Sequence, residues 1–274
     1  MPTNKYTEPI AQLEKKGQFD VDIMPINEKL VKKMEAGKFK YRSKNIFYKI
    51  YEFLIRLGLW VLGPIVSWFL FDLRVRGKKN LKLIKKQGAI VVANHVQILD
   101  PLYLMQVSRT RQMYFLAAEF NNKKGLGGLT MRVAGVLPIS SDFQLAKELD
   151  NTITYLLNKK KLITVYAEES LWMGYTKIRP LKNGAFHFAV KNNVPVVPVV
   201  ALFRKTNWLD KIIFRKYKVT LQILPPVYLD DELKYKQKLL KMRDDTHNSM
   251  IECANNFYGT ECDATKFVEE SQKD

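Results

Sequence analysis

From Arg76 onward, short runs of β-branched and small apolar residues alternate with stretches of helical length, and this alternation constrains the fold more than any other feature of the chain. The runs fall at Ala89 to Ala93, Met113 to Ala117, Gly135 to Ile139, Leu162 to Ala167, Val196 to Phe203 and Lys218 to Leu224. Helical stretches follow Asp100 and cover Phe143 to Asn158 and Gly184 to Asn192. Such a pattern predicts an α/β domain with a largely parallel central sheet flanked by helices, since parallel neighbours require long crossovers. Its expected limits are 76–230. Residues 1–45 read as a polar, basic extension with a weak helical stretch around Ile26 to Ala36. Residues 46–75 form an apolar helical segment, and 231–274 a basic helical tail offering a solvated face or a second contact to acidic lipid.

The first run ends in Asn94-His95-Val96-Gln97-Ile98-Leu99-Asp100-Pro101. In a helix, the five-residue step from His95 to Asp100 would turn the side chains by roughly 500° onto different faces. Asp100-Pro101 reads as a helix N-cap and first helical residue, so His95 belongs to the strand-to-helix loop. A loop there can direct the Asp100 carboxylate to one imidazole nitrogen and leave the other free as a general base. No Ser or Cys nucleophile lies within the motif, so the pair suits a reaction in which the substrate brings its own hydroxyl, which His95 deprotonates for attack on an activated carbonyl. On spacing alone an alternative stays open, in which Asp100 caps a helix and His95 is an ordinary loop residue. His187 and His247 have no carboxylate placed in this way and read as structural or solvent-exposed.

At Asn94-His95-x-x-x-x-Asp100 the sequence resembles the first motif of the glycerolipid acyltransferases, the family of 1-acylglycerol-3-phosphate acyltransferase. Gly135-Val136-Leu137-Pro138-Ile139-Ser140-Ser141 is similar to the second block, with Ser141 where the family has an arginine. Val165-Tyr166-Ala167-Glu168-Glu169-Ser170-Leu171 resembles the third, keeping only the aromatic, Glu168 and the hydroxyl of Ser170. Val194-Pro195-Val196-Val197-Pro198-Val199 is similar to the fourth, a proline-punctuated strand.

The resemblance implies an O-acyltransferase of phospholipid biosynthesis. Its acyl donor is acyl-CoA or acyl-carrier protein, its acceptor a lysophospholipid, with 1-acylglycerol-3-phosphate foremost, and it uses no metal or bound cofactor. His95 is then the base and Asp100 its orienting acid, while Glu168 and Ser170 fall at substrate-binding positions. Glu169 and Leu171 stand where the family offers a glycine and an arginine to the acceptor phosphate. Lys177, Arg179 and Lys182 follow closely and can replace them, Arg179 as a bidentate ligand. Arg109, Arg111 and Arg132 are candidates to supply the charge missing at Ser141.

A formal charge of +18 calls for an anionic counterpart: a membrane surface, a phosphorylated substrate or nucleic acid. Nucleic acid is not expected, because no recognisable binding signature accompanies the charge. The uncharged stretch Leu57 to Phe71 is short for a span of about 20 residues, and Gly63-Pro64 interrupts it. Two short helices dipping into one leaflet are expected, with Trp60 and Trp68 at interfacial depth and basic residues on both flanks. Met1 to Lys5 lack a signal-peptide pattern, and Cys253 and Cys262 read as reduced thiols. Together these place the chain at the cytoplasmic face of a membrane, held monotopically. Two competing readings are a non-catalytic lipid-binding member of the same fold and a basic nucleic-acid-binding protein.

Overall fold

A computed structural model describes residues 5–212 and 215–266. Met1 to Asn4 and residues 267–274, parts of the expected terminal segments, lie outside the described residues. In chain order the elements are α1 (Thr7–Lys15), α2 (Ile46–Phe71), β1 (Arg74–Arg76), α3 (Asn80–Leu83), β2 (Ala89–Ala93), α4 (Asp100–Leu104), β3 (Met113–Ala117), α5 (Gly125–Ala134), β4 (Val136–Pro138), α6 (Phe143–Asn158), β5 (Leu162–Val165), α7 (Gly184–Asn192), β6 (Val196–Arg204), α8 (Trp208–Ile212), β7 (Lys218–Ile223) and α9 (Tyr235–Tyr258). The strands form one sheet of order β1-β7-β6-β2-β5-β3-β4. Every pairing is parallel except β6 with β7.

β2 is central and buried at all five residues. Both of its faces are covered, which is why it reads as a continuous apolar run and not as an alternating one. Ile90 and Val92 join the core layer that includes α6, α7 and α9, while Ala89, Val91 and Ala93 join the opposite layer with Phe71, Tyr103 and Leu104. α9 is part of the α/β core: Met242, Thr246, Met250 and Ala254, spaced one helical turn apart, are its buried stripe. Its basic residues, Lys236, Lys238, Lys241 and Arg243, take the remaining faces.

The apolar segment differs from the expected helix pair. α2 is one helix of 26 residues, about 39 Å long, with Pro64 inside it. Proline removes the N–H that would meet the carbonyl of Trp60, which is the cause of the break expected from sequence. Here Arg109 supplies the missing donor: its Nη2 lies 2.9 Å from Trp60 O, and Trp60 Nε1 donates to Arg109 O at 3.2 Å. Its guanidinium also lies over the Trp60 ring, 4.6 Å from the centroid. One stripe of α2 faces the domain, ending in the buried Gly63, Ser67 and Phe71. The helix contacts the domain along its length, from Tyr51 against Thr130 of α5 to Phe71 against Tyr103 of α4. Its other faces expose large apolar side chains, among them Phe47, Phe53, Leu62, Ile65 and Trp68. By length and composition it is also long enough to cross a bilayer.

The stretch from Ile26 to Ala36 contains only a single 3-10 turn, Glu28–Leu30. The helix of this arm is instead α1, whose buried residues are Ile10 and Glu14.

Candidate active site

The carboxyl end of β2 is fixed first. Asn94 is buried, and its side chain pairs with the backbone of Ala201 in β6, donating through Nδ2 at 3.1 Å and accepting from Ala201 N at 2.8 Å. The chain then turns out of the sheet, and His95 and Asp100 meet with Nδ1 and Oδ2 2.8 Å apart. The same oxygen accepts from the backbone N–H of Val96 at 2.9 Å and of Gln97 at 3.1 Å. Leu99, not Asp100, occupies the N-cap of α4. Asp100 is therefore the first helical residue, and its carboxylate turns back into the loop instead of capping its own helix.

Asp100 is fully buried, whereas the His95 side chain keeps 19% of its surface exposed. Nδ1 is engaged, and Nε2 has no hydrogen-bond partner among the described residues. Burial pushes the Asp100 carboxyl up from its ordinary range, while the hydrogen bonds from His95, Gln97 and Val96 pull against it. The Tyr166 ring stacks on the imidazole with centroids 4.0 Å apart and planes 16° from parallel. Its hydroxyl is buried without a hydrogen-bond partner among the described residues, and burial followed by the Asp100 charge drives its pKa well above normal.

A second layer holds the His95 backbone. Glu168 follows β5 and is buried; its Oε2 accepts from His95 N at 3.2 Å, and its Oε1 from Arg179 N at 3.0 Å. Arg179 has no exposed surface, and its Nη2 lies 2.7 Å from Glu168 Oε2. That nitrogen also reaches Ser170 O at 2.6 Å and His95 O at 3.4 Å, while Nη1 donates to Phe19 O at 3.0 Å and to Ser170 Oγ. Ser170 is buried, and its hydroxyl donates to Phe19 O. The guanidinium expected to chelate an acceptor phosphate from the surface instead lies inside the protein. A loop carboxylate and three backbone carbonyls use its fork, which matches their planar spacing.

The other two cations of this loop meet the N-terminal arm. Lys177 pairs with Glu14, and Lys182, 47% exposed, pairs with Asp20 at 2.9 Å. Leu171 N and Trp172 Nε1 bind Asp22 Oδ1 and Val21 O. The arm thus lies across the loop that carries Glu168, an arrangement its weak periodicity gave no signal for. Arg109, Arg111 and Arg132 are occupied elsewhere: with Trp60, with the carbonyls of Ile84 and Gln87, and with Asn122. Ser141 is exposed just beyond β4, and His187 is exposed with Nδ1 2.7 Å from the Tyr235 hydroxyl. Burial pulls the His247 imidazole below its ordinary pKa. Cys253 and Cys262 are free thiols. Among the described residues no group of three His, Cys, Asp or Glu is gathered to hold a metal.

Residues 72–202, which contain every residue of this site except those of the arm, match the family model described as Acyltransferase. A 1-acyl-sn-glycerol-3-phosphate acyltransferase of Limnanthes alba is 23% identical over 182 residues, covering 65% of this chain and 63% of that protein. The beta form from Homo sapiens is 27% identical over 177 residues, covering 60% and 61%. The chain thus spans a little over three fifths of the length of these relatives. The crystal structure of the 1-acyl-sn-glycerophosphate (LPA) acyltransferase PlsC from Thermotoga maritima superposes with a TM-score of 0.55 at 20% identity, covering 80% of this chain and 86% of that one, so the two share a fold.

Proposed function

We propose that the chain is a glycerolipid acyltransferase, a reading supported by the family match over residues 72–202 and by the relatives named above, and that it transfers an acyl group from acyl-CoA or acyl-carrier protein to the hydroxyl of a lysophospholipid, 1-acylglycerol-3-phosphate foremost. The observation that carries this reading is the 2.8 Å contact between His95 Nδ1 and Asp100 Oδ2, with Nε2 of the partly exposed ring without a hydrogen-bond partner among the described residues. Nε2 takes the proton of the acceptor hydroxyl as its oxygen attacks the thioester carbonyl. The tetrahedral centre collapses, the C–S bond breaks, and the thiolate leaves as the imidazolium returns the proton. Asp100 holds the tautomer that keeps Nε2 free and stabilises the imidazolium. Expulsion is easy because a thiol, with a pKa of about 8.5, is far more acidic than an alcohol. No metal or bound cofactor takes part.

α2 supports attachment to a membrane, which we read as monotopic and, as expected from the sequence, at the cytoplasmic face, with anionic lipid answering the charge of +18. It lies along the domain and turns a continuous apolar surface outward, the form of an interfacial helix. Lys182 is the cation of its loop with the most open side chain for an acceptor phosphate. Its exposed pair with Asp20 is of a kind worth about 0–1 kcal/mol, so a dianion can displace it.

The test is an acyl-transfer assay of purified protein with a panel of lysophospholipids and a radiolabelled donor thioester, read as product lipid. His95→Ala should lower the rate at least about a hundredfold. Unchanged transfer in that variant would refute the mechanism, and vesicle binding without turnover of any donor would favour the non-catalytic reading.

A further inference from the structure

A cleft of about 770 Å³ opens at the β4 edge of the sheet, between the first half of α2, the end of α6 and the arm residues from Tyr41 to Ser43. Its size is within the range of about 300–1,000 Å³ usual for small-molecule sites. Gln112 and Lys161, which immediately precede β3 and β5, belong to its wall. It therefore reaches the amino ends of those strands, whereas His95 follows the opposite, carboxyl end of β2, the parallel neighbour of β5. The acyl-transfer chemistry proposed above makes no use of it.

Six cations line this cleft: Arg42, Lys49, Arg56, Arg132, Lys159 and Lys161. Glu52 is the carboxylate among the lining residues, and Arg56 takes it at 3.0 Å. Among the described residues the other five have no carboxylate partner. Arg132 is held by Asn122 Oδ1 at 2.8 Å, and the Arg42 guanidinium lies 3.4 Å from the centroid of the Tyr155 ring. Burial, then the nearby guanidiniums of Arg56 and Arg111, push the Lys161 ammonium down, and Glu52 opposes them without reversing the shift.

The apolar flank of the cleft narrows the choice of anion. Phe53 and Leu57 of α2 line it, and the helix surface continues from there into exposed Ile46, Phe47, Ile50 and Leu54. An inorganic anion or a nucleotide would use the cations and leave that flank in water, whereas an amphiphile satisfies both. We propose that the cleft binds the phosphate head group of an anionic phospholipid whose acyl chains lie along α2, at a site separate from the acceptor site at His95. The proposal rests on α2 lying at a bilayer surface, as inferred above, but not on catalysis.

The experiment is a calorimetric titration of the full chain, in non-ionic detergent and without acyl donor, using dihexanoyl phosphatidylglycerol below its micelle concentration. The wild-type protein should bind it saturably, and at least tenfold more tightly than dihexanoyl phosphatidylcholine, inorganic phosphate or coenzyme A. Arg42→Ala with Lys161→Ala should weaken binding at least tenfold. Lys205→Ala with Lys236→Ala, which removes the same charge from exposed positions outside the cleft, should change it less than twofold. Lys49→Ala with Lys159→Ala, both exposed, repeats the measurement if the first pair impairs folding. His95→Ala should bind as wild type, so loss of this site and loss of catalysis are read separately. Equal weakening by the outside pair would overturn the proposal in favour of diffuse charge. Equal affinity for phosphate or coenzyme A, or no saturable binding of phosphatidylglycerol, would overturn it as well.

Discussion

One oxygen of Asp100 takes the His95 ring and two backbone N–H groups, so a single buried carboxylate sets both the tautomer of the base and the shape of its loop. The spacing of the two residues allows this contact but leaves open a plain helix cap; the structure decides it, since Asp100 is the first helical residue and its carboxylate turns back into the loop. Arg179 is the contrary case. Its residue type and position near the third motif suggest a phosphate ligand, and nothing local says that it is buried against Glu168, Ser170 and the arm residue Phe19. Removing one member of a buried ion pair strands the other, at a cost of about 3–5 kcal/mol. Arg179→Ala should therefore lower the unfolding free energy by about that much in a denaturant titration. A rise in acceptor KM with unchanged stability would return Arg179 to the role read from sequence. Tyr166 sits between these cases: its aromatic character matches the motif, but its stacking on His95 is visible only when β2 and β5 pair side by side.

At the scale of elements, the alternation of apolar runs and helical stretches marks the strands within a residue or two and α6 and α7 at their ends, because buried parallel strands and crossover helices differ in both length and composition. β1 is too short to carry a period, and α5 is disguised by three glycines in its first half. Gly128 is required there, since a Cβ would lie 1.7 Å from Lys123 O. α2 is the element whose form sequence misjudges, because the donor that replaces the missing Pro64 N–H comes from Arg109, 45 residues further along the chain. The two residues should consequently be coupled. Arg109→Ala should destabilise the wild type by about 1 kcal/mol more than it destabilises a Pro64→Ala background, in which Trp60 O regains a helical partner. Equal effects in both backgrounds, measured by thermal or chemical unfolding, would mean that Arg109 serves the helix through the Trp60 ring alone.

Over the whole molecule, a charge of +18 and the outward face of α2 act together at a surface, and their shares separate with salt. Each cation near anionic lipid contributes about 1 kcal/mol, and at 1 M salt the Debye length falls to about 3 Å. Each large apolar side chain transferred from water contributes about 1.5–3 kcal/mol with little dependence on screening. Binding to anionic vesicles should therefore weaken between 0.1 and 1 M salt without vanishing. Leu62→Asp with Ile65→Asp, both on the exposed face, should lower it at least tenfold at either salt in a co-sedimentation assay. Complete release by salt, with the double variant binding as wild type, would mean that charge alone holds the protein and that α2 does not enter the bilayer. Composition and local pattern by themselves determine the α/β class, the basic surface, the apolar segment and the placing of His95 and Asp100 about one short strand-to-helix loop, because each depends on residues near one another in sequence. Tertiary structure alone decides that Arg179 is internal, that the arm lies over the Glu168 loop and that α2 runs unbroken along the domain. Each of these turns on a donor or acceptor supplied from a distant part of the chain, and a buried polar group must find such a partner wherever the fold brings one.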